Sequence, residues 1–320
     1  MISNHINIKK KSLKIIFSGT QNFSAQHLKQ LIYTKHNIVG VLTKPDLPSG
    51  RGKLIVESPV KKIAKEHIIP VFQPKTLEDK KIYTQLYELN ADIMIVVAYG
   101  LIIPKKILNM FSMGCINVHA SLLPRWRGAT PIQSAILYGD SITGVTIIQM
   151  DEGIDTGKIL YSISCNIEKT DTSQSLHTKL SKIGCKAILL VLHNLKFNKY
   201  NSIIQSKLTT YSKKINKQDA QLNWSQDATK LEKCIRAFNP WPVSFFKIQN
   251  VQIKVWAATV IMQCNQNKHE LGKIILINKH GLQIQTKNNI LNITKVQLPG
   301  KKIMHAYNLI NSKIISSYQK

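Results

Sequence analysis

The chain has 320 residues, a formal net charge of +27, and 43% hydrophobic against 19% charged residues. That length suits two domains with sizeable cores, and that balance excludes an intrinsically disordered chain. No apolar run reaches the roughly 18–20 residues that span a bilayer. Met1–Leu13 is basic without the apolar stretch of a secretory signal, so residues 1–12 read as a frayed basic tail. The five cysteines, Cys115, Cys165, Cys185, Cys234 and Cys264, are odd in number and never spaced C-x-x-C. This argues against a disulfide framework or a structural zinc, and for a reducing, cytoplasmic setting.

Charge is unevenly spread. Residues 1–198 carry 25 basic and 13 acidic side chains, whereas residues 199–320 carry 19 and 4, net +15. A polyanionic partner follows from that surplus. An AT-rich genome, which enriches Ile, Lys and Asn codons, is the competing explanation.

In chain order, Leu13–Phe17 (LKIIF) is an apolar strand that ends in Ser18-Gly19-Thr20. A helical pattern through Phe23, Ala25, Leu28, Leu31 and Ile32 follows it. Gly19 alone marks a tight strand-to-helix turn, because neither G-x-G-x-x-G nor a P-loop is present. Further apolar strands are predicted at Ile38–Thr43, Ile93–Ala98, Cys115–His119 and Val145–Met150, with helices between, such as Pro59–His67 and Leu77–Leu89. Apolar strands alternating with helices predict an α/β, Rossmann-like domain with a mostly parallel sheet. Its site belongs at the carboxyl ends of the strands. A long helix follows over 171–194. Lys199–Lys217 is polar, lacks a period and reads as a linker. Beyond it come a helix, Ala228–Ala237, and short strands at Val243–Ile248, Ile253–Ile261, Gly272–Ile277, Leu282–Gln285 and Ile290–Val296. These predict a small barrel. The expected division is therefore 1–198, a linker at 199–217, and a basic β-barrel domain at 218–320.

Three constellations carry chemistry. Asn117 and His119 lie two apart on a strand, hence on one face, and Pro124 and Gly128 force the chain to turn just after them. An isolated N-x-H also serves merely to finish a strand. Met150–Gly157 (MDEGIDTG) places Asp155 between Gly153 and Gly157, able to bring a carboxylate back to the same edge. Asn, His and Asp together can polarise a carbonyl, stabilise an oxyanion and manage a proton. One His and one acidic loop is thin for a metal, so none is expected. Cys115 reads as a buried strand thiol rather than a nucleophile. Lys44–Lys53 (KPDLPSGRGK) is a Pro/Gly loop on which Arg51 can reach nucleic acid or simply face solvent.

Over about residues 13–311 the sequence resembles the methionyl-tRNA formyltransferases. The stretches that carry the resemblance are Gly114–Gln133 (GCINVHASLLPRWRGATPIQ), MDEGIDTG, Gly50–Lys53 (GRGK), Cys234–Pro242 (CIRAFNPWP) and Pro299–Lys302 (PGKK). The N-x-H-x-S-L-L-P pattern with a later Asp-x-Gly is common to the wider 10-formyltetrahydrofolate-dependent formyltransferases. The resemblance implies transfer of a formyl group from 10-formyltetrahydrofolate to the α-amino group of methionyl initiator tRNA. It also implies catalytic Asn117, His119 and Asp155, and folate contact by Ser121, Leu122, Leu123 and Pro124. The GRGK loop, Arg51, Gly52 and Lys53, would contact tRNA, as would an OB-like C-terminal barrel. It implies a monomer without a membrane or metal partner. Thr130, Ser134, Gln21 and Asn223 depart from the usual pattern, and none touches the mapped triad. Two alternatives remain: a formyltransferase for a small amine, which would not require the GRGK loop and basic barrel, and a non-catalytic tRNA-binding protein, which would not require the triad.

Overall fold

The computed structural model describes residues 12–49, 54–197, 201–263 and 269–311. Residues 1–11 of the expected tail, the loop residues Gly50, Arg51, Gly52 and Lys53, and Cys264 lie outside them. The strands are β1 (Lys14–Gly19), β2 (Asn37–Leu42), β3 (Leu47–Ser49), β4 (Leu54–Val56), β5 (Val71–Phe72), β6 (Ile93–Val97), β7 (Cys115–His119), β8 (Arg127–Gly128), β9 (Ile142–Gln149), β10 (Ile159–Asn166), β11 (Tyr211–Ser212), β12 (Phe245–Ile248), β13 (Val251–Ile261), β14 (Ile274–Asn278), β15 (Gly281–Gln285), β16 (Ile290–Gln297) and β17 (Met304–His305). The α-helices are α1 (Asn22–Ile32), α2 (Pro59–Glu66), α3 (Lys80–Glu88), α4 (Lys105–Leu108), α5 (Pro131–Tyr138), α6 (Ser173–Lys196) and α7 (Ala228–Ala237). No helix among the described residues is long and apolar enough to cross a membrane.

The chain gathers into two units. The first holds the residues up to Arg127 together with Gly144–Cys165 and Thr178–Tyr211; the second holds Gly128–Thr143, Asn166–His177 and the chain from Ser212 onward. This grouping differs from a single division at a linker over residues 199–217. The cause is visible inside the second unit, where α5 packs against α7, and Arg236 donates to the Asp171 carbonyl at 3.0 Å.

The first unit is built on a seven-stranded sheet in the order β10-β9-β7-β6-β1-β2-β5. Ile15, Ile16 and Phe17 and all of Ile93–Val97 are buried, as strands covered on both faces require, which is why they read as unbroken apolar runs. Strands β1, β2, β5, β6 and β7 are parallel. Strand β9 runs antiparallel to β7, a direction its apolar pattern does not encode. Helix α2 starts where Ser58 Oγ accepts from the Lys61 amide at 3.0 Å, with Pro59 at the first helical position. Both features satisfy or remove groups left unpaired at a helix start.

Of the segment expected to be a linker, residues 201–211 are bonded into this unit. Ile203 bridges Ile159, Thr209 Oγ1 donates to the Pro124 carbonyl at 2.8 Å, and the Arg127 amide donates to the Thr210 carbonyl at 2.9 Å. Two of these three ties are backbone hydrogen bonds, which no side-chain period announces.

The second unit contains an antiparallel half-barrel, β12-β13-β16-β15-β14 with β17 on β16, an OB-like arrangement. Phe246, Ile253, Val255, Leu282, Ile284, Leu291 and Ile293 form its core with Leu231 and Ile235 of α7. Asp227 caps α7 by accepting from the Thr229 amide at 2.9 Å.

Candidate active site

Strand β7 lies between β6 and β9, with Asn117 opposite Ile148 and His119 opposite Thr146. Its neighbours in sequence, Ile116 and Val118, are buried in the hydrophobic core. The two-residue alternation therefore sends Asn117 and His119 to the same face of the sheet. Just beyond His119 the chain is tied to β9 through one hydroxyl. Thr146 Oγ1 donates to the Ser121 carbonyl at 2.7 Å and accepts from the Leu123 amide at 3.1 Å. Ser121 and Leu123 are buried, whereas Leu122 and Pro124 are half-buried. Of the four residues expected at a folate wall, those two carry the accessible side-chain surface.

Trp126 then adopts a left-handed backbone, φ 62°, while its amide donates to Thr210 Oγ1 at 2.9 Å. Its carbonyl comes within 2.9 Å of His119 Nε2. A carbonyl can only accept, so this contact places a proton on Nε2. The other ring nitrogen, Nδ1, lies 3.5 Å from Asp155 Oδ2, with the two side chains 6% and 14% exposed. Nδ1 is thus the ring nitrogen that faces the carboxylate. Asn117 Nδ2 donates to the other oxygen, Asp155 Oδ1, at 3.2 Å, leaving its second N–H for another acceptor. The structure thus brings Asn117, His119 and Asp155 together from two segments 38 residues apart.

Asp155 is itself in a left-handed conformation, φ 56°. On one side its loop is braced by Asp151, whose Oδ1 accepts from the Gly153 amide at 3.1 Å and from Thr156 Oγ1. On the other side stands Gln205, absent from the sequence-based candidates. Its Nε2 donates to the carbonyls of Asp155 and Gly157, both at 2.8 Å, and its Oε1 accepts from Arg127 Nε at 3.1 Å and Nη2 at 2.7 Å. Nothing in residue type or spacing marks Gln205, since it reaches the site only through the return of 201–212 along the sheet edge.

Cys115 is 1% exposed, and burial pushes its thiol up to about 12. It donates only weakly to the Ile107 and Leu108 carbonyls. A neutral, enclosed thiol is not a nucleophile at physiological pH. No cluster of three His, Cys, Asp or Glu able to hold a metal occurs among the described residues.

The GRGK tip cannot be placed against this site, because residues 50–53 lie outside the described residues. Its stem can be described. Strands β3 and β4 pair antiparallel, Leu47 opposite Val56, so the expected loop has a two-stranded base with Leu47, Leu54 and Ile55 exposed. At the foot of this stem Asp46 is ion-paired with Lys61 and accepts from Gln73 Nε2 at 2.8 Å. The Lys61 ammonium, followed by Gln73, holds the Asp46 carboxyl below its ordinary value. Glu57 accepts from Lys65 at 2.9 Å.

Comparison with known proteins identifies the family. The formyl transferase family model matches residues 10–192, and that of the formyl transferase C-terminal domain matches residues 214–313. The chain is 59% identical to a methionyl-tRNA formyltransferase of Buchnera aphidicola subsp. Baizongia pistaciae over 98% of this chain and 96% of that one. Among solved structures, an N-formyltransferase from Helicobacter canadensis in complex with folinic acid and dTDP-3-aminofucose shares the fold at 21% identity and a TM-score of 0.64. The match covers 88% of this chain and 99% of that one. HypX from Aquifex aeolicus in complex with tetrahydrofolic acid matches with a TM-score of 0.64 at 15% identity over 94% of this chain, which spans about half of HypX (47%). Two family models in tandem and a relative alike from end to end lead to one statement: the chain belongs to the methionyl-tRNA formyltransferase family of formyl transferases.

Proposed function

We propose that the chain transfers the formyl group of 10-formyltetrahydrofolate to the α-amino group of methionine on initiator tRNA. The observation that carries this reading is the meeting of Asn117, His119 and Asp155 within 3.5 Å at the carboxyl edge of the sheet, in a chain 59% identical to a methionyl-tRNA formyltransferase.

The donor set suits a formylated folate. The amide, the imidazole and the carboxylate are all hydrogen-bonding groups, and the half-buried Leu122 and Pro124 offer apolar surface beside them. Ser121–Pro124 would hold the donor, which supplies a carbonyl already activated for transfer to an amine, so no enzyme nucleophile is needed. The attacking amine must be neutral, and attack develops negative charge on the formyl oxygen. Asn117 meets that charge with the N–H not engaged by Asp155. Both ring nitrogens of His119 are occupied, by the Trp126 carbonyl and by Asp155. His119 therefore works first with Asp155 as the pair that takes the proton lost by the amine and returns it to the folate nitrogen as that nitrogen's bond to the formyl carbon breaks and tetrahydrofolate leaves. It reaches the oxyanion only by releasing one of these partners. Losing one preorganised donor typically lowers turnover about 100- to 1,000-fold.

Residues 1–198 carry the transfer chemistry in this reading. Residues 218–320, within a region of net +15, hold tRNA through its phosphates, with Arg51, Gly52 and Lys53 contacting the acceptor end. The setting is the cytoplasm and the acting form is a monomer. The test is formyl transfer to charged initiator against charged elongator tRNA, with Asn117→Ala, His119→Ala and Asp155→Ala. Each variant should lose at least about 100-fold in kcat with the fold intact. Native-like kcat in two of the three removes the assignment. Equal rates on both tRNAs remove the substrate.

A further inference from the structure

We infer that Gln205 is a positioning residue for Asp155: its side-chain amide holds the left-handed turn that aims the carboxylate at Asn117 and His119. The inference rests on the reading of Asp155 as part of the transfer machinery. Residue 205 falls between the two regions matched by the family models, 10–192 and 214–313.

The argument begins with which way the amide faces. Arg127 is a donor only, and its Nε and Nη2 both point at one atom of Gln205, at 3.1 and 2.7 Å. That atom must be the oxygen. The amide nitrogen is thereby turned toward the carbonyls of Asp155 and Gly157, each 2.8 Å away, and each of its two hydrogens has an acceptor. A flipped amide would set donor against donor on one side and acceptor against acceptor on the other. The buried guanidinium of Arg127 therefore dictates the orientation, and its own backbone is fixed by the bond to the Thr210 carbonyl at 2.9 Å.

What the amide holds is a strained stretch. Aspartate tolerates a left-handed backbone better than most residues, yet the conformation is still costly and persists where bonds such as these hold it. Gln205 fixes the peptide planes that follow Asp155 and Gly157, so the backbone on the C-terminal side of Asp155 is pinned and with it the direction in which that side chain leaves. The resulting contacts are long, 3.2 Å to Asn117 and 3.5 Å to His119, and a small rotation of the loop takes both out of range.

Gln205→Glu separates the two halves of the clamp. It keeps an acceptor, now charged, for Arg127 and removes both donors to the loop. Gln205→Met keeps length and removes everything. Kinetics with both substrates varied should show kcat lowered about 10- to 100-fold in each variant, with KM for the formyl donor and for tRNA within about threefold of native. Because its second carboxylate oxygen would face the two carbonyls, the Glu variant should melt somewhat below the native chain, and the split of the loss between kcat and KM carries the test. In an Asp155→Asn background, Gln205→Glu should add no further loss, because two residues acting through one group are not additive. Native kcat in Gln205→Glu overturns the inference, as does a loss that adds in full to that of Asp155→Asn, or a loss confined to KM. If Gln205→Glu does not fold, the same readings on Gln205→Met decide. Intact activity in Asp155→Ala would instead bring down the functional reading, so the two failures are distinguishable.

Discussion

Adding one methyl group at Gly157 tests whether the loop that carries Asp155 tolerates displacement. A Cβ there would stand 1.8 Å from the Gln149 carbonyl oxygen and 2.8 Å from its carbon, and Cβ contacts under 3.0 Å essentially never occur. The clash is with backbone, and Gln149 belongs to β9, whose amide is bonded to the Lys158 carbonyl at 2.9 Å. The strand is the stiffer partner, so the loop must shift by about 1.2 Å. The Asn117–Asp155 bond, at 3.2 Å, breaks with far less movement than that, roughly 0.3 Å. A misplacement of about 1 Å at a catalytic group is worth about 100-fold in rate. Gly157→Ala should therefore lower single-turnover formylation about 100-fold. Gly300→Ala is the control: its φ of 71° also disfavours a side chain, but no heavy atom lies within 4 Å of the added Cβ. It should lose about 1 kcal/mol of stability and keep its activity. Formylation by Gly157→Ala within a few-fold of native, in a protein that melts normally, would refute the reasoning.

Arg51→Ala should lower kcat/KM for initiator tRNA strongly and leave folate affinity unchanged, with Arg51→Lys recovering only part because it lacks the planar fork; steady-state kinetics with each substrate varied decides. Replacing the exposed Lys273, Lys279, Lys295 and Lys301 by Gln should make the dependence of log K for tRNA on log salt shallower by up to about 3 to 4, near 0.9 per phosphate contact. An unchanged slope would remove those contacts. Because Asp46 has a depressed pKa beside Lys61, its ion pair stabilises fully above the ordinary carboxylate value of 3.8 and is lost only as pH falls through the lower folded value. Proteolytic nicking within 47–56 should therefore be flat between about pH 8 and 5, and Asp46→Asn should raise it throughout that range.

Much of the scaffold was legible because burial leaves a direct imprint on composition. Strand β7 and helix α7 have the predicted limits; the structure adds that Asp227 caps the helix and that its period buries Ala228, Leu231 and Ile235. Strand β10 was missed because ILYSISCN is half-exposed along its length. The β3–β4 stem was missed because two short strands around Pro48 bury almost nothing. Spacing puts Asn117 and His119 on one strand face, and the glycines around Asp155 allow its loop to return there; the family resemblance, not the local pattern, singles the three out. Gln205, Thr146 and the carbonyl of Trp126 act through tertiary contacts that no local pattern records.

The interleaving of the two units bears on how the protein is made. Helix α5 ends at Tyr138 and its packing partner α7 begins at Ala228. About 90 residues must leave the ribosome between them, which at roughly 5–20 residues per second takes between about 5 and 20 s. Throughout that interval Ile132, Ala135 and Ile136, which the finished protein buries, have no α7 to pack against. The nascent chain therefore carries an unsatisfied apolar helix in its middle while the sheet on either side is already able to form. A pause in translation before residue 228 would prolong that state, and a chaperone that grips short apolar helices would find its grip loosened only when α7 arrives.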